Sequence, residues 1–382
     1  MKKYKSQLIH IGLFLVTFIT TTIAGAEWMF GKFIFWGEEK ATWNDLFLAM
    51  QFSVPFILIL TFHEFGHYFT ARFHKIKTTL PFYIPLWLGF IALPSFGTMG
   101  AFIRIKSLIH SRKEYFDVGV SGPIAGFVIA MGIIWYGFAN LPEPEYIFKI
   151  HPEYEQYGLD YADHVYENNE NSVSFKFGDN LIFWWFENYY MKDEAKLPHP
   201  NEIIHYPYLL AGYLALFFTA LNLLPIGQLD GGHMLFSMFG ERKSKRINQI
   251  VFTGFVFYAG LGWVNEPMVQ GLQAGSYISF FLTIAIYIYF LYIVASGLIS
   301  SRQGRFIFAG SMFSVQYLLA DFFQWEGYSG WLLYSFILAR FLGVYHPKVS
   351  DNRRLNPTRM IVGVIAILIF IVSFSPRPFI IE

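Results

Sequence analysis

Long apolar stretches, separated by short polar ones, recur along the whole chain. Windows long enough to cross a bilayer lie near residues 7–24, 46–70, 117–140, 207–227, 249–264, 276–299, 306–325, 329–345 and 360–375. A helix needs about 20 apolar residues to cross the hydrocarbon core, and it satisfies its own backbone hydrogen bonds there. The pattern therefore predicts an all-α polytopic membrane protein with about nine transmembrane helices.

The basic residues indicate which loops face the cytoplasm. If the N-terminus is cytoplasmic, 21 of the 28 Lys and Arg residues lie on the cytoplasmic side, which is the usual bias of cytoplasmic loops. An odd number of spans then leaves the C-terminus outside. No convincing cleavage site follows the first apolar window, so we expect a retained span. We expect a multi-pass protein of the cell (inner) membrane, in contact with lipid.

Composition narrows the class of protein further. Hydrophobic residues make up 54% of the 382 residues and charged residues 14%, against about 25% charged in a soluble globular protein. The net charge of +1 gives no electrostatic reason to expect a nucleic-acid partner. Because the chain has no cysteine, histidines and carboxylates must hold any bound metal.

Residues 80–106 do not fit a simple loop between two spans. The segment is too apolar for a solvated linker, and its prolines and glycines interrupt any helix. Residues 97–105 alternate like a strand. Irregular backbone survives at membrane depth only where protein or a wet cavity covers it. We therefore predict a re-entrant, partly extended element, with an ordinary amphipathic surface loop as the alternative.

Residues 141–205 form the one sizeable hydrophilic segment. Between Glu143 and Glu202 it has thirteen acidic residues against four lysines, together with many Tyr and Trp. Its length is marginal for an independent domain. We predict a small extramembrane module or an interfacial lid, on the outer side of the membrane.

The second apolar window carries three ionisable residues, and such residues are costly in hydrocarbon unless they have a function. His63 and His67 are four residues apart, so both imidazoles project from one face of a helix and can chelate a divalent cation, usually zinc. Glu64 is placed to accept a proton from a water that the cation activates. The alternative is a chance match, in which the histidines are hydrogen-bonded core residues.

A carboxylate near the end of the fourth window offers a third metal ligand. At about 1.5 Å per residue, Asp230 would lie about 33 Å along its span and His63 about 25 Å along the second. Both positions then fall near the cytoplasmic third of a core about 30 Å thick. Asn222, in the same window, offers an amide to freed backbone or to substrate. The alternative for Asp230 and the two glycines after it is a polar turn.

These residues resemble the site-2 protease family of intramembrane zinc metalloproteases. The resemblance rests on four motifs: His63-Glu64-Phe65-Gly66-His67, Gly100-Ala101, Ser121-Gly122-Pro123-Ile124-Ala125-Gly126, and Asn222-Leu223-Leu224-Pro225 running on to Leu229-Asp230-Gly231-Gly232. It covers about residues 45–240. The resemblance implies that His63, His67 and Asp230 hold one Zn2+ per chain, that Glu64 activates water and that Asn222 assists substrate or oxyanion binding.

The resemblance also implies a function and a division of the chain. The family hydrolyses peptide bonds within transmembrane segments of membrane-anchored proteins, so single-span membrane proteins are the expected substrates. We expect a first span and outside loop at 1–45, two parts of a catalytic core at 46–140 and 206–240, the acidic extramembrane segment at 141–205, and further transmembrane helices at 241–382.

Two other classes of function remain open. A catalytically inactive membrane scaffold or chaperone of the same fold has no physical need to bury Glu64. A metal transporter would use the histidines as a transit site, but such transporters favour repeated halves, and the sequence holds no second copy of the motif.

Overall fold

A computed structural model of the chain describes residues 2–37, 39–167, 175–273, 275, 277–347 and 349–381. Within these residues helices predominate and strands are few and short. The helices are α1 (Lys2–Phe30), α2 (Trp43–Phe73), α3 (Arg112–Ala139), α4 (Leu181–Trp185), α5 (Pro207–Leu223), α6 (Asp230–Phe239), α7 (Glu241–Gln273), α8 (Tyr277–Val294), α9 (Arg302–Phe323), α10 (Trp331–Ile337) and α11 (Pro357–Ser373). The strands are β1 (Phe82–Leu86), β2 (Gly97–Phe102), β3 (Phe175–Phe177) and β4 (Phe379–Ile381).

Six helical stretches within the described residues are long and apolar enough to cross a membrane. They are Ser6–Phe30, Trp43–Phe73, Arg112–Ala139, Glu241–Val264, Tyr277–Gly297 and Arg302–Phe323. Three further predicted windows correspond to shorter apolar helices at Pro207–Leu223, Trp331–Leu342 and Pro357–Ser373. The helical, polytopic character is therefore confirmed, while nine crossings remain a prediction.

The fourth predicted window is not one continuous helix. Helix α5 ends at Leu223, and α6 starts at Asp230 after a turn. Pro225 lacks the N–H that a continuing helix needs, and Gly227 has a φ of +59°, which belongs to the left-handed region. The distance of about 33 Å estimated for Asp230 along a single helix was therefore wrong.

Residues 82–102 contain a β-hairpin. Strands β1 and β2 pair antiparallel, with Phe82 opposite Phe102 and Tyr83 opposite Ala101, and the register shifts between Tyr83 and Pro85. The predicted extended character of this segment is thus present in the structure. Its position relative to a membrane remains a prediction.

The hairpin segment lies alongside α1. The hydroxyl of Thr20 donates a hydrogen bond of 2.7 Å to the carbonyl of Gly97, where an added Cβ would overlap with the backbone of α1. Further hydrogen bonds between the two elements join His10 Nδ1 to Pro81 O at 3.0 Å, Trp28 Nε1 to Ser95 O at 2.8 Å and Trp87 Nε1 to Glu27 Oε1 at 2.7 Å. The contacts extend from residue 10 to residue 28 of α1, about 27 Å of helix.

Residues 1–109, 117–222 and 364–382 form one compact unit. The core of its described part includes Phe52 and Phe56 of α2 and Leu210 and Leu214 of α5, all with no exposed surface. The predicted acidic segment belongs to this unit and consists mainly of short helical turns, and β3 within it pairs antiparallel with β4. Residues 168–174 of that segment lie outside the described residues.

Residues 110–116 and 223–363 form a second compact unit. The buried guanidinium of Arg112 donates from Nε and Nη2 to the carbonyl of Ser237, at 2.9 and 2.6 Å. Ser237 lies in the last turn of α6, where carbonyl groups lack partners within the helix and a positive charge is favourable. Arg112 therefore supplies the C-terminal charge that α6 itself lacks.

Candidate metal centre

Helix α2 holds the predicted ligand pair and the predicted base on one continuous element. It starts with a capping box between Thr42 and Asp45 and runs for 31 residues to Phe73. His63, Glu64 and His67 are exposed by only 6–7% of their surface. All three side chains are therefore withdrawn from solvent on an otherwise apolar helix.

The two imidazoles face each other through their Nε2 atoms, which are 3.1 Å apart. His67 Nδ1 lies 2.7 Å from the carbonyl of Val118, and because a carbonyl only accepts, Nδ1 carries the proton and Nε2 keeps its lone pair. Zinc–nitrogen bonds of 2.0–2.1 Å in a tetrahedral site separate two ligand atoms by about 3.3 Å. The pair therefore fits a divalent cation, and Val118 orients one ligand as outer partners of metal sites do.

Small residues of α3 allow that helix to pack directly against the imidazoles. A Cβ added to Gly122 would overlap with the ring of His67, and one added to Gly126 would lie 3.1 Å from His63 Cβ. In the other direction, a Cβ on Gly66 of α2 would lie 2.5 Å from the carbonyl oxygen of Ser121. The small residues of the segment 121–126 therefore let α3 pack against the ligand pair itself.

Asn222 also reaches this pair. It lies near the end of α5, and its Nδ2 atom is 3.5 Å from His63 Nε2. An amide at this distance can serve a group bound beside the histidines. The structure thus brings together three predicted site residues from two helices, with Glu64 adjacent in sequence.

The hairpin is linked to the same helix. The hydroxyls of Thr61 and Tyr83 are 2.7 Å apart, and the Thr61 hydroxyl also donates to the carbonyl of Ile57. Thr61 precedes His63 by two residues, so β1 is fixed next to the part of α2 that carries the ligands. No sequence pattern predicts this contact.

Asp230 is the first residue of α6 in the second unit, where it is half-buried. An added Cβ at Gly231 or Gly232 would overlap with carbonyls of the preceding turn. These two glycines therefore let the turn close against the start of the helix. Ligation of a metal by Asp230 remains a prediction.

The chain is similar to known zinc metalloproteases. Residues 51–261 match the family described as Peptidase family M50. "Probable zinc metalloprotease EGY1, chloroplastic" from Oryza sativa subsp. japonica is 27% identical over 222 residues, 58% of this chain and 32% of the relative. The protein of the same name from Arabidopsis thaliana is 29% identical over 214 residues, 56% of this chain and 33% of the relative.

This chain spans about a third of the length of those curated relatives. No solved structure gives a significant match. The family match and the six long apolar helices together make the chain an integral membrane protein.

The contact between α3 and His67 yields a prediction. Gly122→Ala should push the imidazole out of position, because the added methyl group overlaps with the ring. We expect zinc affinity, measured by competition with a chromophoric chelator, to fall about 10- to 100-fold, as for other changes that disturb ligand orientation. Gly132→Ala is the matched control on the same helix, since nothing lies within 4 Å of its added Cβ. Equal affinity in the two variants would contradict the assigned role.

Proposed function

We propose that this chain, which belongs to peptidase family M50, is an intramembrane zinc metalloprotease that cuts transmembrane segments of membrane-anchored proteins. The observation that carries the proposal is the buried imidazole pair of His63 and His67, with Nε2 atoms 3.1 Å apart, on a helix long and apolar enough to cross a membrane. The zinc metalloprotease names of the relatives support the same reading.

His63, His67 and Asp230 are the proposed ligands of one zinc ion. Two imidazoles and a carboxylate leave a fourth position for water or substrate, which is the arrangement of catalytic rather than structural zinc sites. The donor chemistry supports zinc, because imidazole nitrogens and a carboxylate oxygen are ligands of catalytic zinc sites. The positioned Nε2 of His67 supports it further.

Glu64 and Asn222 have separate roles in the proposed hydrolysis. A bound zinc ion would lower the pKa of a coordinated water from its value in bulk solvent to about 7. Glu64 accepts the proton of the attacking water and later donates it to the nitrogen of the leaving amine. The Asn222 amide donates a hydrogen bond to the oxygen of the scissile carbonyl, where negative charge develops.

The substrate must lose helical structure before it can be cut, because a helix uses all its own backbone groups. Strand β2 pairs with β1 on one side, and these two strands complete their sheet within the described residues. The other edge of β2 is therefore the proposed place where an unwound substrate segment adds as a strand. This use of an edge requires the hairpin to lie at membrane depth.

The contacts of the hairpin segment with α1 support that depth. They begin near one end of an apolar helix and continue almost to the other. An element that follows a spanning helix over about 27 Å would cover most of a hydrocarbon core about 30 Å thick. These contacts therefore support a re-entrant placement of the hairpin segment.

The pairing of β3 with β4 supports the proposed topology. The paired strands must lie on the same side of a membrane, so the chain between them crosses an even number of times. Only three of the long spans lie between residues 178 and 378. If the three shorter apolar helices are spans as well, the described residues contain six crossings between the two strands and nine in all. The bias of the basic residues then favours a cytoplasmic N-terminus.

Replacing the proposed base tests the reaction. Glu64→Gln keeps the size of the side chain but removes its ability to accept a proton, so we expect turnover to fall at least about 100-fold while zinc content stays unchanged. The assay uses a single-span model substrate in lipid vesicles, with the cleaved bond located by mass spectrometry.

Glu39→Gln is the control, since the Glu39 side chain is exposed. Near-normal turnover in Glu64→Gln would remove Glu64 as the base. Cleavage confined to residues outside the substrate's apolar span would overturn the intramembrane part of the proposal.

Removing the carboxylate of Asp230 tests the ligand set. Asp230→Asn keeps the shape of the side chain but loses the anionic ligand, so we expect the purified protein to lose about one zinc ion per chain. Asp321→Asn, an exposed position on another apolar helix, should keep its zinc. An unchanged metal content in Asp230→Asn refutes the proposed third ligand.

Single cysteines test the topology, because the natural chain has none to interfere. We expect Gln156→Cys and Ile381→Cys, both exposed, to react with a membrane-impermeant thiol reagent from the same side. Lys243→Cys should react only from the opposite side. Labelling of residues 156 and 381 from opposite sides would contradict both the span count and the pairing of β3 with β4.

A further inference from the structure

A second cluster of metal-binding side chains lies in the acidic segment, away from His63 and His67. His151, Glu202 and His205 each offer one ligand atom, and these three atoms lie within 4.8 Å of one another. Glu202 is 1% exposed and His205 5%. Buried carboxylates and imidazoles cost free energy unless they are paired or bind a cation.

The outer hydrogen bonds of the two histidines direct their Nε2 atoms towards each other. His205 Nδ1 lies 2.5 Å from the carbonyl of Met29, which only accepts, so this nitrogen carries the proton. His151 Nδ1 lies 2.9 Å from a carboxylate oxygen of Glu153 and donates to it in the same way. In neutral rings both Nε2 atoms then present lone pairs, at a separation of 3.3 Å.

The carboxylate completes the same arrangement. Glu202 Oε2 is 3.2 Å from His205 Nε2, yet it has no hydrogen-bond partner of acceptable geometry among the described residues. Its other oxygen, Oε1, accepts a hydrogen bond of 2.5 Å from the Tyr166 hydroxyl. Glu202 is thus held by one oxygen while the other points at the two imidazoles.

We propose that His151 Nε2, His205 Nε2 and Glu202 Oε2 form a second binding site for a divalent transition-metal ion, with zinc as the best-matched ion. Separations of 3.3 and 3.2 Å match the edges of about 3.3 Å in a tetrahedral zinc site with N and O ligands. The contacts of Met29, Glu153 and Tyr166 are the outer hydrogen bonds that orient ligands in such sites.

The cavity beside these three ligands has room for a water molecule at a fourth coordination position, and it contains hydrogen-bond acceptors for that water. His151 and His205 line a cavity of about 470 Å³, together with Glu27, Tyr166 and Asn201. Glu27 Oε2 and Asn201 Oδ1 are buried, and neither has a hydrogen-bond partner in the described part of the chain. Both are acceptors, and water bound to a cation supplies donors. Because His205 also holds the end of α1 through Met29, an ion here would tie the acidic segment to the first span.

Zinc counting in the full-length chain tests this site independently of the first one. In a His67→Ala background, which removes a proposed ligand of the first site, we expect the purified protein to retain about one Zn2+ after dialysis against a weak chelator. Adding Glu202→Gln should remove that ion, because the amide keeps the side-chain volume but is a poor ligand. Bound Co2+ should show the visible absorption of a tetrahedral site, which Glu202→Gln abolishes.

Two further variants serve as a control and as a second test of the ligand set. His164→Ala in the same background should keep the ion, since that exposed histidine of the acidic segment stacks on Tyr157 and does not belong to the ligand cluster. His151→Gln changes a less buried ligand and should lose the ion while circular dichroism shows an intact fold. If His67→Ala alone holds no zinc, or holds it equally in all variants, the three side chains form an ion-pair cluster and the proposal is wrong.

Discussion

The burial of three ionisable side chains, His63, Glu64 and His67, on one apolar helix is the constraint on which the structure of the surrounding site depends. An unpaired imidazole or carboxylate in a water-poor environment costs several kcal/mol, so every polar atom near His63 and His67 needs a defined partner. Val118 supplies a carbonyl to His67 Nδ1, and Gly122 lets that backbone come close enough to do so. The two Nε2 atoms lie 3.1 Å apart, a separation that suits two ligands of one cation.

The parts of this centre that sequence alone predicts are those governed by local geometry. Residues four apart share a face of any helix, so the pairing of His63 with His67 follows from their spacing. The glycines at 122 and 126 are small residues four positions apart, a pattern that favours close packing of helices. The residues that pack against these two glycines could not be predicted from the sequence, because the whole fold decides which element lies against a given face of a helix. The hydrogen bond between His67 and the carbonyl of Val118 could not be predicted either, since every residue has a backbone carbonyl.

Sequence reasoning failed where a break or a distant contact decides the geometry. The uniform hydropathy of residues 207–227 predicts a single helix that continues to Asp230, whereas α5 ends at Leu223. The extended character of residues 97–105 was predicted from alternation, but the register with β1 was not. His151 and His205 are 54 residues apart in an irregular segment, and no spacing rule connects them. Only the i,i+3 relation of Glu202 to His205 was visible in the sequence.

The hairpin depends on α1 more than on its own two strands, because an isolated two-stranded hairpin is only marginally stable. Hydrogen bonds to Gly97, Ser95 and Pro81 fix it along the helix, and the link from Tyr83 to Thr61 fixes it to α2. Because α1 and α2 hold the hairpin in place, its conformation would change little when another strand adds to its edge. Little conformational entropy would then be lost on binding. In the proposed mechanism, the same rigidity would hold an added substrate strand at a constant distance from the histidines of α2 and would determine where along that strand a bond is cut.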